Sequence, residues 1–160
     1  MKSRKFVIVP IIFLVICIGL LFIIPFKEDV WDSNLKLLEN KILSSKGKEI
    51  VNLSTFTPFE WDIAYSFAPY LNKEEIYETI GYKWDDIYET VSEGMNQVVF
   101  VKDGKVVCYL YGYPDNNGFG INFYKYLSND KATILYSEHN NIFDVKTNGE
   151  VVYLKYREME

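Results

Sequence analysis

Cysteine is nearly absent from this chain, and the two that occur cannot build a disulfide framework: Cys17 lies inside an apolar run and Cys108 stands alone in a strand-like segment. Stability must therefore come from packing. Cys108, flanked by Val106, Val107, Tyr109 and Leu110, reads as a small buried hydrophobe, because a reactive thiol needs a basic or helix-N-terminal setting that these neighbours do not supply. Histidine is scarcer still. His139 is the only one; with one cysteine outside the apolar run it cannot complete a zinc set, and it would have to serve any histidine-dependent triad alone. No G-x-S-x-G elbow or P-loop occurs, and Gly118-Phe119-Gly120 lacks the rest of a dinucleotide fingerprint. Asp115-Asn116-Asn117-Gly118 has the composition of a calcium loop but not its ordered carboxylates or closing Glu, so it reads as a turn. Asp85 and Asp86 are adjacent, which on a helix points them about 100° apart and makes no acid–base pair. These absences point away from an enzyme: no catalytic residue, cofactor or metal site is assigned.

Acidic side chains are missing altogether from the first 26 residues. Phe6 to Phe26 forms a run of 21 residues without a charge, long enough as a helix to cross the roughly 30 Å hydrocarbon core of a bilayer. Pro10 and Pro25 fall near its ends, where a missing backbone donor does least damage. Lys2, Arg4 and Lys5 precede it, which predicts a cytoplasmic N-terminus and an outer C-terminal domain. The run is too long for a cleaved signal peptide and ends Ile23-Ile24-Pro25-Phe26 without a small-x-small site. Ile16, directly before Cys17, is too bulky for a lipoprotein cleavage site. The expected organisation is a cytoplasmic segment 1–5, a transmembrane signal anchor 6–26, a juxtamembrane helix 27–47 and an extracytoplasmic domain 48–160.

That outer part is acidic, with 14 basic against 22 acidic side chains from Lys27 onward, a net charge of −8. Such a balance repels phosphate backbones and anionic headgroups, so nucleic acid is excluded as a partner and the domain is expected to stand off the membrane. Aromatic residues are plentiful at 17% of the chain, enough large apolar surface for a core.

The periodicity predicts an α+β domain: a mainly antiparallel sheet with one to three helices packed on it. Val30 to Ser45 has amphipathic helical spacing, with Asp32 or Ser33 to cap it and Gly47 to end it. Two short strands are expected around Pro58. Asn72 and Glu75 spell a capping box for a helix that Gly81 closes, and Trp84 to Val91 suggests another short helix. Asp103-Gly104 predicts a two-residue hairpin between Gln97–Lys102 and Lys105–Tyr111, and Asn148-Gly149 another between Ile142–Thr147 and Glu150–Tyr156. Tyr113 to Gly120 reads as a long loop, followed by strands at Ile121–Tyr126 and Ala132–Ser137.

The most distinctive string runs from Phe59 to Tyr70, where alternation puts Trp61, Tyr65 and Phe67 on one face and Glu60, Asp62 and Ser66 on the other. The order FxWDxxYxFxPY, then a short helix ending in Gly81, then Val98-Val99-Phe100-Val101-Lys102-Asp103-Gly104-Lys105-Val106-Val107, resembles a group of small, uncharacterised membrane-anchored or lipoprotein-type proteins of Gram-positive bacteria. The likeness covers roughly Val51 to Leu110; it implies an extracytoplasmic α+β module and transfers no catalytic residue. Anchor, acidity and absent chemistry together suggest a binding protein at the outer membrane face that recognises another, basic, protein. Its candidate contact residues are Trp61, Asp62, Tyr65, Tyr70, Tyr113, Asp115 and Phe119. Two alternatives belong to other classes: an accessory subunit whose anchor pairs with a membrane complex through the small residues Cys17 and Gly19, and an envelope hydrolase using Glu60 and Asp62.

Overall fold

The computed structural model describes residues 29–125 and 130–157. The expected transmembrane segment 6–26 and cytoplasmic segment 1–5 lie outside them; among the described residues, no helix is long and apolar enough to cross a membrane.

Helix α1, Val30–Leu43, starts one turn earlier than Asp32 or Ser33 would set it: Asp29 occupies the N-cap position, and its carbonyl accepts from the Asp32 and Ser33 amides. Asp32 instead sits in the first turn, paired with Lys36 at 3.0 Å. The short strand β1, Ile50–Asn52, turns directly into a single helical turn α2, Leu53–Phe56, because the Asn52 side chain accepts from the Ser54 amide. One strand and one helical turn thus precede Pro58, and β2, Ile63–Phe67, follows it. Helix α3, Lys73–Ile80, carries the expected capping box and ends on Gly81 at φ 89°. Residues 84–91 form no helix. Neighbouring strands bind this stretch through side chains instead: the Tyr88 amide donates to the Tyr109 hydroxyl, and its carbonyl accepts from the Gln97 amide.

Strands β3, Asn96–Lys102, and β4, Lys105–Gly112, pair through the predicted turn, with φ of 50° at Asp103 and 71° at Gly104. Between them Val107 is an extra residue: Phe100 faces Cys108 and Val101 faces Val106, a bulge in the edge strand. The expected long loop after Gly112 is shorter than predicted. It contains the turn α4, Pro114–Asn117, and gives way to β5, Phe119–Asn122. Strand β6 spans Ala132–Tyr136, and the last hairpin joins β7, Ile142–Asn148, to β8, Val151–Tyr156. Its two turn residues are Gly149 and Glu150, one position later than predicted, since Asn148 still pairs with Val151.

The strands form two four-stranded sheets, not one: β1-β7-β8-β5 and β4-β3-β2-β6, antiparallel except for the parallel pair β5–β8. In the second sheet, strands β2, β3 and β4 are buried on both faces. Its even-numbered side chains Ala64, Val98, Phe100, Cys108 and Leu110 join Ile121, Phe143, Val152 and Leu154 of the first sheet in one core. The odd-numbered Tyr65, Phe67, Val99, Val101 and Tyr109 form a second core against Ile76 and Ile80 of α3 and against Ile87. Helix α1 crosses the β4 edge and contributes to both, Trp31 to the second core, Leu38 and Ile42 to the first. The Asn34 amide meets the Val107 carbonyl at the bulge, 2.8 Å away, which covers part of an edge otherwise open to pairing.

Candidate functional site

Three of the seven candidate contact residues are interior. Trp61, Tyr65 and Phe119 are 4%, 8% and 2% exposed, so none presents a ring to a partner. The expected common face for Trp61, Tyr65 and Phe67 is also corrected: a bend at Asp62 precedes β2, and it sends Trp61 into the first core while Tyr65 and Phe67 stack in the second. Trp61 packs edge-on against Phe100 and donates its indole N–H to Thr57 Oγ1 at 3.0 Å. Phe119 is buried because strand β5 begins at it, pairing with Val152 in the first core.

Asp62 has a structural task. One carboxylate oxygen accepts from Lys102 Nζ at 2.7 Å, the other from the Asp103 amide at 2.8 Å. The Lys102 hydrogen bond, reinforced by the Asp103 amide, holds its carboxyl below the usual value of 3.8, and the same bond raises Lys102. Asp62 thus stays ionised and staples the β3–β4 turn, whose Asp103 takes a left-handed backbone; a carboxylate so held is a poor proton donor. Glu60 lies beside it on a shallow depression with Phe59 and Lys102.

The remaining candidates, Tyr70, Tyr113 and Asp115, are exposed and gather at a different place. The end of β2 and the start of β3 meet the edge of β5 and the far end of β8 there, leaving a cleft of about 550 Å³. Polar residues at strand ends build its walls. Asn96 Oδ1 accepts from the Ile121 amide and its Nδ2 donates to Asn122 Oδ1, both at 3.0 Å, so one side chain ties β3 to the β5 edge. Gly120 lets them approach: a Cβ there would lie 2.9 Å from both Asn96 Oδ1 and Pro114 Cγ. On β8, Tyr153 and Lys155 alternate with the buried Val152 and Leu154 and line the cleft with Asp115 and Tyr113.

Two tyrosine–carboxylate pairs mark this region. Tyr153 stands near Asp115 and Tyr70 near Glu93, which lines the cleft; partial burial first and the neighbouring carboxylate second raise both phenols above their usual value. Tyr70 is 60% exposed yet has φ 67°, an outlier for a bulky side chain. Its amide is held by the Thr90 carbonyl and Oγ1, each at 3.2 Å. Tyr113, 40% exposed, precedes α4 and lies against Gly94.

Sequence reasoning missed Glu93, Asn96, Asn122, Tyr153 and Lys155. The signal available was Asn at the ends of apolar strands, which reads as ordinary strand termination until the fold brings those ends together. Elsewhere, Cys108 is fully buried, which pushes its thiol far up. His139 lies on an exposed turn, 3.8 Å from Glu138. Among the described residues no group of three or more His, Cys, Asp or Glu could hold a metal ion.

Comparison of the chain with protein-family models, with curated proteins and with solved structures finds no match.

Proposed function

We propose that the chain is a binding protein anchored in the membrane by residues 6–26, with its C-terminal domain outside the cell, and that it recognises another protein through the cleft flanked by Tyr70, Tyr113 and Asp115. One observation carries this reading: exposed residues far apart in sequence converge on a cavity of about 550 Å³ lined by tyrosines and carboxylates, a composition suited to a polar, aromatic-anchored protein contact. The anchor adds a constraint on the partner. The apolar run ends at Phe26 and α1 begins at Val30, and the three residues between span at most about 10 Å. The domain is then tethered close to the bilayer, and its partner is a protein that reaches the membrane surface.

The test is photocrosslinking in intact cells, with a photoreactive phenylalanine analogue at position 113 and, as a control, at Tyr136 at the opposite end of the second sheet. A discrete adduct at 113, absent at 136 and lost with Asp115→Lys, is the expected outcome. If capture ignores Asp115→Lys but disappears when residues 6–26 are scrambled at constant hydrophobicity, the chain is an accessory subunit acting through its anchor. Gene neighbourhood is a cheaper companion observation.

A further inference from the structure

The walls of the cleft favour one kind of guest. At about 550 Å³ it is larger than a single side chain needs and has room for a side chain with its flanking backbone. Its lining is not an apolar slot: tyrosine rings from β8 and from the residue before α4 stand beside Asn96, Asn122, Glu93 and Asp115. A greasy anchor residue would strip water from these polar groups without replacing its hydrogen bonds. Anions are disfavoured too, because the carboxylates of Glu93 and Asp115 outnumber the ammonium of Lys155 and the surrounding chain from Lys27 onward carries −8.

What remains is a cation presented on a polypeptide. Glu93 and Asp115 line the cleft together with Tyr113 and Tyr153, and a carboxylate offers about four acceptor positions. Tyrosine rings beside the carboxylates give a cation a face to lie on. The chain already makes such a contact at this place, with Lys155 Nζ 5.9 Å from the Tyr153 ring centroid. Arginine uses this combination better than lysine, because its planar guanidinium bonds carboxylates through two parallel N–H groups and also stacks on rings. We infer that the cleft takes an arginine-bearing segment of the partner protein, its guanidinium groups meeting Glu93 and Asp115 beside the tyrosine rings; this rests on the reading of the chain as a protein-binding module.

The test uses the full chain in lipid nanodiscs, titrated calorimetrically with acetyl-Ala-Arg-Ala-Arg-Ala-amide, with the same peptide carrying citrulline, which keeps the shape and loses the charge, and with its lysine counterpart. The arginine peptide should bind at least about tenfold tighter than the citrulline one, equivalent to about 1.4 kcal/mol, and tighter than the lysine one. Glu93→Gln and Asp115→Asn should each remove most of that preference, Asp115→Glu should restore part of it, and Glu138→Gln, an exposed carboxylate, should leave it intact. Equal binding of arginine and citrulline peptides, lysine binding as tight as arginine, or an equal loss in Glu138→Gln overturns the inference; the last result means general charge attraction. Unchanged near-UV circular dichroism identifies variants that remain folded. Cellular capture at position 113 without peptide discrimination sinks the arginine assignment alone, whereas discrimination without capture sinks the wider reading.

Discussion

Asp62 shows how a residue that looks like a contact can be a fastener. Its carboxyl sits below the usual 3.8 when folded, so the stability it adds is fully present above the unfolded value and is lost as pH falls through the folded one. Asp62→Asn should therefore unfold at lower urea concentration than the parent at pH 7, and the difference should close as both are acidified through the lowered folded value. A constant difference across that range would mean that the charge is not what matters. Trp61 tests the same point through packing. Trp61→Ala empties a site in the first core and should cost about 3–5 kcal/mol, read from denaturant midpoints. Trp61 and Asp62 were visible in the sequence as a distinctive pair; that they face inward and sideways was not, because a bend of one residue switches parity and no periodicity reports it.

At the scale of elements, α1 belongs to the domain. Leu38 and Ile42 are fully buried in the first core, so Leu38→Ala and Ile42→Ala should each cost about 2–5 kcal/mol. A chain starting at residue 48 should lose its cooperative thermal transition; if it keeps one, the helix is an appendage. Helix α3 is the contrasting case, since its capping box and closing glycine are local devices legible before any fold is known. Asn72→Ala should lower stability by about 1 kcal/mol. Residues 84–91 have the right composition for a further helix and do not form one. Gln97 and Tyr109, distant in sequence, bind the backbone of Tyr88, and tertiary bonds override local propensity there.

For the whole molecule, the decisive fact is that strands β2, β3 and β4 of the second sheet have two buried faces. A single sheet with helices on one side leaves half of Val98 to Val101 in water, and a second sheet removes that cost. The closure also makes the cleft, because the strands that finish the sandwich end in Asn and Tyr where the two sheets part. Binding there should be screened, with association slowing as ionic strength rises beyond about 0.1 M; stopped-flow kinetics of the crosslinked partner would show it. Alkaline phosphatase joined after Glu160 should be active outside the cell, and a tag before Met1 should resist external protease. The reverse pattern would refute the proposed orientation.

The sequence by itself determined what short-range chemistry dictates: the α+β class, the Asp103-Gly104 hairpin, the capped α3, the interior place of Cys108 and the acidity of everything after the apolar run. These depend on neighbours, spacing or counts, all of which a linear chain displays. Only the tertiary structure decided that there are two sheets, that Trp61 and Tyr65 lie in separate cores, that Asp62 is spent on a turn, and that Glu93, Tyr113, Asp115 and Tyr153 share a cleft. Each of those depends on which strands become neighbours, and long-range pairing is set by the joint burial of all the apolar faces at once.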